Sequence, residues 1–171
     1  MILNDGEATT NITINIGGTH NITAVYTGNE NTTTNTTTNT IQLNKKNTEI
    51  NTIVISSRAD NTTINITVTD TTNNKQITNA PVKIYENSKE IANTTTPTLK
   101  LNLTGGEHIL TIRYDGNNIY SPSETTLTVN VAKLNSTMTL TTPTTAYVAD
   151  AVTISVNVKD ENNKAATGNV T

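Results

Sequence analysis

The chain has 171 residues, of which 27 are Asn and 40 are Thr, and its formal net charge is −3. Its 11 Lys and Arg residues are scattered, which argues against nucleic-acid binding because that function needs clustered basic charge. The absence of Cys excludes disulfides and thiolate metal sites. No apolar stretch approaches the roughly 18 residues of a membrane helix, so we expect no membrane insertion by this segment.

The side chains favour an all-β fold. Thr, Ile and Val are β-branched and suit a pleated, half-buried surface, whereas Asn suits turns. Phe and Trp are absent and Tyr is the only aromatic residue type, with five copies. The sequence therefore predicts a thin core of branched aliphatic side chains between Asn-rich turns.

Strand patterns follow one another along the chain. Ile12, Ile14 and Ile16 alternate with polar residues before Gly17, and Ile154, Val156 and Val158 alternate in the same way near the other end. Between them, about seven strands are predicted from period-2 alternation. They are centred on Ile50–Ile55, Ile64/Ile66/Val68, Val82/Ile84, Ile91, Leu99/Leu101/Leu103, Leu110/Ile112/Tyr114 and Leu127/Val129/Val131. Thr104 to Glu107 is predicted to break one strand so that the next can start.

An internal repeat organises these elements. Residues 17–29 recur as residues 105–117, an offset of 105 − 17 = 88, and residues 64–70 recur as 154–160, an offset of 90. A unit of this length is too long for a solenoid repeat and fits a self-contained sandwich domain. We therefore predict three parts: 1–44 as the C-terminal half of a repeat, 45–132 as a complete repeat, and 133–171 as the N-terminal half of the next.

Two stretches carry a family resemblance, "GGTHNITAVYTGNEN" and "GGEHILTIRYDGNNIYSPSETTLTV". They resemble the immunoglobulin-like (Ig-like) repeats of large bacterial and archaeal surface adhesins, and the Asn/Thr richness resembles the adhesin-like proteins of methanogenic archaea. The resemblance implies Ig-like β-sandwich repeats in tandem and an extracellular, cell-surface location. It also implies a signal and an anchor outside this chain. The first copy differs from the second because Thr32 stands where Tyr120 does.

Recurring polar residues have a structural interpretation. His20 and His108 are equivalent, and neither has a partner acid or second ligand at a spacing typical of catalysis or metal binding. We expect both to be structural, and we expect Tyr26 and Tyr114 to pack their rings while their hydroxyls bond a neighbouring loop. No nucleophile elbow or phosphate-binding loop is present. We predict no catalytic residue, no cofactor and no enzyme activity.

Oxygen-rich turns leave calcium as an alternative at Asp70–Asn74, Asp115–Asn118 and Asp160–Asn163. Asx-turn hydrogen bonding explains the same residues without a metal, and no metal site is predicted.

The Asn-x-Ser/Thr pattern occurs ten times, against about seven expected from composition, so the count alone is uninformative. Some copies fall in predicted loops, where N-linked glycans would be accommodated. These candidate glycosylation sites are Asn31, Asn35, Asn61, Asn93 and Asn135.

Two functions fit this organisation. The first is a non-catalytic structural stalk or spacer whose partners are the neighbouring Ig-like repeats of the same array. The alternative is a module that binds a host or microbial surface glycan or protein through its loops. The candidate partner loop contains Asp115, Asn117, Asn118 and Tyr120.

The two half-repeats leave another question open. Each is expected to carry three or four strands with an uncovered apolar face. Head-to-tail pairing, in which one chain's last segment completes the next chain's first segment, is one hypothesis. The alternative is that the chain is an arbitrary cut from an array.

Overall fold

The computed structural model describes residues 1–171 and contains strands and no helix. Their bounds are β1 Gly18–Tyr26, β2 Asn35–Leu43, β3 Thr48–Arg58, β4 Asn61–Asp70, β5 Lys75–Gln76, β6 Val82–Glu86, β7 Lys89–Thr94, β8 Thr98–Leu101, β9 Gly106–Tyr114, β10 Ser123–Val131, β11 Ser136–Thr141 and β12 Ser155–Asp160. The protein is all-β, as the composition predicts.

Four sheets form, and each takes its strands from one part of the chain. β1 pairs with β2, and β11 pairs with β12, as two antiparallel hairpins. Between them, one sheet has the order β10-β9-β6-β7, and another contains β3, β4 and β5, with β8 paired to β4. We call residues 45–132, which hold the two larger sheets, the central unit.

The central unit is sandwich-like because its two larger sheets share one core. β4 shows the cause most clearly: Thr62, Ile64, Ile66, Val68 and Asp70 are buried, and the residues between them are not. The 13 apolar core residues come from both sheets and from the segment between β8 and β9: Ile50, Ile64, Ile66, Val68, Val82, Ile84, Leu101, Leu103, Leu110, Ile112, Tyr114, Val129 and Val131. All seven strands predicted in this unit are present; the two-residue β5 was not predicted.

Strand β3 joins the two sheets at both of its ends. Along its length it pairs with β4. At its start, the Lys46 N–H donates to the Ile119 carbonyl and the Ser121 N–H donates to the Lys46 carbonyl, each at 2.8 Å. At its end, the Ala59 N–H donates to the Ala132 carbonyl at 3.0 Å, and the Ala132 N–H to Ser57 at 2.8 Å. At both ends, the two hydrogen-bonded segments run parallel to each other, and we call these two pairings the parallel bridges.

The two flanking segments are simpler than predicted. Each forms one two-stranded hairpin rather than three or four strands. Residues 12–16 form no strand, so the strand predicted from Ile12, Ile14 and Ile16 is wrong. Their apolar side chains remain accessible, with Ile12 60% and Ile154 62% exposed. No second sheet covers either hairpin.

Glycine conformations repeat between the first hairpin and the central unit. Gly18 and Gly106 have φ values of 124° and 138°, and Gly28 and Gly116 have values of 76° and 74°. These are backbone conformations that Gly adopts far more readily than other residues. The need for positive φ explains why Gly recurs at these positions in both copies.

Candidate functional site

The loop between β9 and β10 is held rigidly by its own side chains. The Asn117 Oδ1 atom accepts hydrogen bonds from the Ile119 and Tyr120 N–H groups at 2.8 and 2.9 Å. The Asn117 N–H donates to the Tyr120 carbonyl at 3.0 Å. The Asp115 side chain is held by two cations. The Lys83 Nζ and Arg113 Nε atoms each lie 2.7 Å from its carboxylate. These ion pairs lower the pKa of Asp115, the hydrogen bond from Lys83 contributing most.

The same loop contacts the chain where it enters the central unit. The Gly17 N–H donates to the Asn118 carbonyl at 2.8 Å, and Lys46 bonds the backbone on either side of Tyr120. Tyr120 is half-buried and packs against the core, whereas Ile119 is 39% exposed. Of the four candidate partner residues, Asp115, Asn117 and Asn118 are exposed, and Tyr120 is half-buried. The loop backbone forms the junction with the preceding hairpin.

The first hairpin repeats this loop geometry at the 88-residue offset. The Asn29 Oδ1 atom accepts hydrogen bonds from the Asn31 and Thr32 N–H groups at 2.8 and 2.9 Å. The Asn29 N–H donates to the Thr32 carbonyl at 2.9 Å. The replacement of Tyr120 by Thr32 therefore leaves the turn unchanged, because the hydrogen bonds depend on Asn and the backbone.

His108 is tied down through both ring nitrogens. Its Nε2 atom lies 2.9 Å from the Thr104 carbonyl, and its Nδ1 atom lies 2.6 Å from the Glu86 Oε1 atom. Because both partners are acceptors, the doubly protonated ring fits best. Burial lowers the pKa of His108, but the Glu86 and Thr104 hydrogen bonds and the Glu86 charge outweigh it, so the pKa is raised.

The equivalent His20 keeps only half of this arrangement. Its Nε2 atom lies 2.8 Å from the Ile16 carbonyl, and no carboxylate contacts its ring. The recurring contact is thus a clamp across the Gly-Gly corner, from the strand back to the residue before the first Gly.

The two equivalent tyrosines differ in their hydroxyl contacts. The Tyr26 hydroxyl lies 2.6 Å from the Thr32 Oγ1 atom, the loop contact that the sequence predicts. Tyr114 is 1% exposed within the core. Its ring packs as predicted, but the predicted hydrogen bond from its hydroxyl to a loop is absent because the whole side chain is buried in the core. Burial raises the pKa of Tyr114, and the neighbouring Tyr120 adds to this effect.

The Gly-Gly pairs have two separate causes. A Cβ atom on Gly17 would lie 2.6 Å from the Cγ atom of Lys45, and one on Gly105 would clash with Lys133 in the same way. The second Gly of each pair needs its positive φ instead. The aliphatic part of the lysine that follows each hairpin therefore packs directly over the first glycine of the pair. Sequence reasoning missed this role of the lysines, although their shared 88-residue offset was visible.

Carboxylates in two of the oxygen-rich turns bond their own turn. The Asp70 Oδ1 atom accepts from the Thr72 and Asn73 N–H groups at 2.9 and 3.2 Å. The Asp160 Oδ1 atom accepts from the Asn162 and Lys164 N–H groups at 3.0 and 2.9 Å. No group of three His, Asp or Glu side chains lies close enough to hold a metal ion.

Glycan acceptor candidates are all accessible. Asn31, Asn35, Asn61, Asn93 and Asn135 are exposed. The predicted loop placement is wrong for Asn35, Asn61 and Asn93, which belong to strands because their backbones pair with neighbouring strands. In two of them, the side-chain amide already donates a hydrogen bond. The Asn93 Nδ2 atom donates to Glu90 at 3.3 Å, and the Asn135 Nδ2 atom donates to Glu161 at 2.9 Å. Glycosylation remains a prediction at these positions.

One concave site lies beside the core of the central unit. This cavity of about 210 Å³ opens between the residues after β5 and those before β8, and Ile66, Ile77 and Pro97 form part of its wall. Its polar lining consists of Thr, Asn and Gln side chains, without a titratable group. Such a lining offers hydrogen bonds, and its Thr hydroxyls have no acid or base beside them in the lining that would activate them.

No protein-family model, characterised protein or solved structure matches the chain. The structure contains no helical segment that could span a membrane.

Proposed function

We propose that the chain is a segment of a non-catalytic stalk, built from Ig-like β-sandwich repeats in tandem, in an adhesin-like cell-surface protein of the archaeal type. The function of such a segment is length and spacing, so it needs no site. Its partners are the neighbouring repeats, and its location is extracellular.

The strand order of the central unit supports the Ig-like part of the proposal. With the two-residue β5 set aside, its first, second and fifth strands, β3, β4 and β8, share one sheet. The third, sixth and seventh strands, β6, β9 and β10, share the other, as in Ig domains. The fourth strand, β7, pairs with β6, whereas in a constant-type Ig domain the fourth strand lies in the first sheet.

The observation that carries the stalk proposal is the recurrence of junction geometry along the chain. The Asn-capped loop, the His clamp and the lysine crossing over glycine occur in the first hairpin and again 88 residues later. In addition, the loop most suited to binding is engaged through its backbone with Gly17 and Lys46. These features suit the spacing of successive units within one chain better than they suit the recognition of a separate ligand.

Small-angle X-ray scattering of the whole chain tests the proposal. Units placed end to end give a radius of gyration well above the about 16 Å expected of one compact domain of this length. Far-UV circular dichroism with a cooperative melt ensures that the elongation is not unfolding. A folded chain with the compact radius would contradict the stalk.

The loop-binding alternative is tested on a panel of surface glycans and proteins. We expect no saturable binding by the chain. The informative variant is Asn118→Ala with Ile119→Ala, because these side chains are accessible and outside the core. Thr128→Ala, on the exposed face of β10, is the matched control. Saturable binding that is lost only in the loop variant would favour the alternative.

A further inference from the structure

Polar side chains connect the central unit to the hairpin that follows it. The turn between β3 and β4 carries Arg58 and Asp60, and the turn after β12 carries Glu161 and Asn162. Arg58 forms an ion pair with Glu161, and the Asn162 Nδ2 atom donates to the Asp60 Oδ2 atom at 2.9 Å. These contacts span more than 100 residues of sequence. We call these four residues the clasp.

The residues around the clasp hold it in position. The Arg58 Nε atom lies 3.3 Å from the Asp60 Oδ1 atom, so the two clasp residues of the central unit support each other. On the other side, the Asn135 Nδ2 atom donates to the Glu161 Oε2 atom at 2.9 Å. The pKa of Asp60 is lowered, above all by the hydrogen bond from Asn162. The Asp60 carboxylate therefore keeps its charge more readily within the clasp than in its absence.

The turn that bears Glu161 has an equivalent inside the central unit, at Thr71. The Glu161 N–H donates to the Asn135 carbonyl at 3.0 Å, and the Thr71 N–H donates to the Asn47 carbonyl at 3.0 Å. This backbone hydrogen bond is the same in both turns, whereas the side chain of the residue that donates it differs. The Thr71 hydroxyl bonds the Asn47 carbonyl at 3.2 Å and, unlike the Glu161 carboxylate, carries no charge.

We propose that Glu161, the residue after the turn aspartate, fixes the orientation of the junction that follows the central unit, and that Thr in its place, the residue found at Thr71, leaves such a junction free to bend. Glu161 makes the junction after the central unit an orienting interface whose partner is the turn of the following repeat. The inference rests on the proposed stalk function and adds stiffness to it.

Solvent exposure limits what the clasp does. The side chains of Arg58, Asp60 and Glu161 are 48%, 32% and 28% exposed, and ion pairs of this kind contribute little to stability. The direction in which the last hairpin points from the central unit is a different quantity from the stability of the fold. A hairpin attached through a short connection needs only a small bias to favour one direction over many, so the clasp acts on the angle between units.

The absence of Cys allows this angle to be measured directly. Spin labels at Thr128→Cys and Asn157→Cys, both on exposed strand residues, report the distance between the central unit and the last hairpin by pulsed electron resonance. We expect a narrow distance distribution for this doubly labelled chain. Glu161→Thr, which introduces the residue found at Thr71, should lose the narrow distribution, and so should Arg58→Gln.

Two controls make the result specific. The charge-exchanged variant Arg58→Glu/Glu161→Arg should recover the narrow distribution. Arg113→Gln removes another exposed arginine–carboxylate pair, which contains no clasp residue, and should change nothing. Amide signals of β11 and β12 verify that the hairpin stays folded in each variant.

A narrow distribution in Glu161→Thr would overturn the proposal, and so would a broad one, or an unfolded hairpin, in the doubly labelled chain without clasp substitutions. Failure of the stalk function itself gives a different signature. It appears as a compact scattering radius or as saturable ligand binding, whatever the width of the distance distribution.

Discussion

Leu110 and Ile22 occupy equivalent positions in two copies of one sequence pattern, yet Leu110 is 0% exposed and Ile22 is 38% exposed. The same contrast holds for Val129 at 1% and Ile41 at 44%. The hairpins themselves match, because each pairs nine residues with nine in the same register. Alternation and turns therefore determine the hairpin, whereas burial requires a second sheet, which only the central unit has.

The largest expected effect comes from a polar group placed in the shared core. Ile66 is 4% exposed, so Ile66→Asn both removes apolar burial and buries an unpaired amide. We expect the free energy of unfolding of the central unit to fall by about 4 kcal/mol. Thr67→Asn, one residue away on the outer face, should change it by less than about 0.5 kcal/mol. Equal shifts in urea denaturation would mean that the two faces are wrongly assigned.

Matched truncations test the comparison between the copies. Leu110→Ala should destabilise the central unit by about 2–5 kcal/mol, since a cavity is left in a packed core. Ile22→Ala should leave the melting of the central unit unchanged, because Ile22 contributes to no shared core. Thermal melts of both variants are compared with that of the parent chain. A comparable loss in Ile22→Ala would show that the first hairpin is covered in solution.

Glycine substitutions come next in size. A Cβ atom on Gly116 would lie 2.6 Å from the Tyr120 carbonyl oxygen, whereas one on Gly106 would meet nothing within 4 Å. Both positions carry the cost of positive φ, on the order of 1 kcal/mol. Gly116→Ala should therefore destabilise the central unit more than Gly106→Ala. The reverse order in urea denaturation would contradict the loop geometry.

The smallest effect concerns pH. The folded-state pKa of His108 is raised above its ordinary 6.5, mainly through Glu86 once burial is overcome. Its contribution to stability is fully present below the unfolded-state pKa and is lost as pH rises through the folded-state pKa. The central unit should thus be more stable at pH 5.5 than at pH 8.5. Urea denaturation at both pH values measures this difference, and Glu86→Gln should diminish it. An unchanged dependence in that variant would assign the effect to another group.

Sequence patterns predicted the central unit well because both of its sheets contain strands with alternating burial, and each strand finds a neighbour. The strand predicted from Ile12, Ile14 and Ile16 is absent because this segment has no such neighbour. Its counterpart β8 exists by pairing with β4, and the first segment has no strand equivalent to β4 beside it. Alternation indicates which face is apolar, but a strand also needs a backbone partner.

Junction contacts were beyond sequence reasoning. Arg58 and Glu161 lie 103 residues apart in unrelated turns, and no local pattern relates them. His108 was predicted to be structural, and its clamp to Thr104 fits that interpretation. Its Glu86 partner was missed because the two residues meet only through the pairing of β6 with β9.

The attachment of β3 at both ends has a mechanical consequence. The chain enters the central unit beside Lys46 and leaves it at Ala132, and the parallel bridges lie at these two points. Tension applied between the two ends of the chain would pull β3 and β10 in opposite directions, past each other. The hydrogen bonds at each end would then be loaded in shear and would have to fail together rather than one by one. Single-molecule pulling should accordingly show an abrupt rupture of this unit, whereas the flanking hairpins should extend at low force.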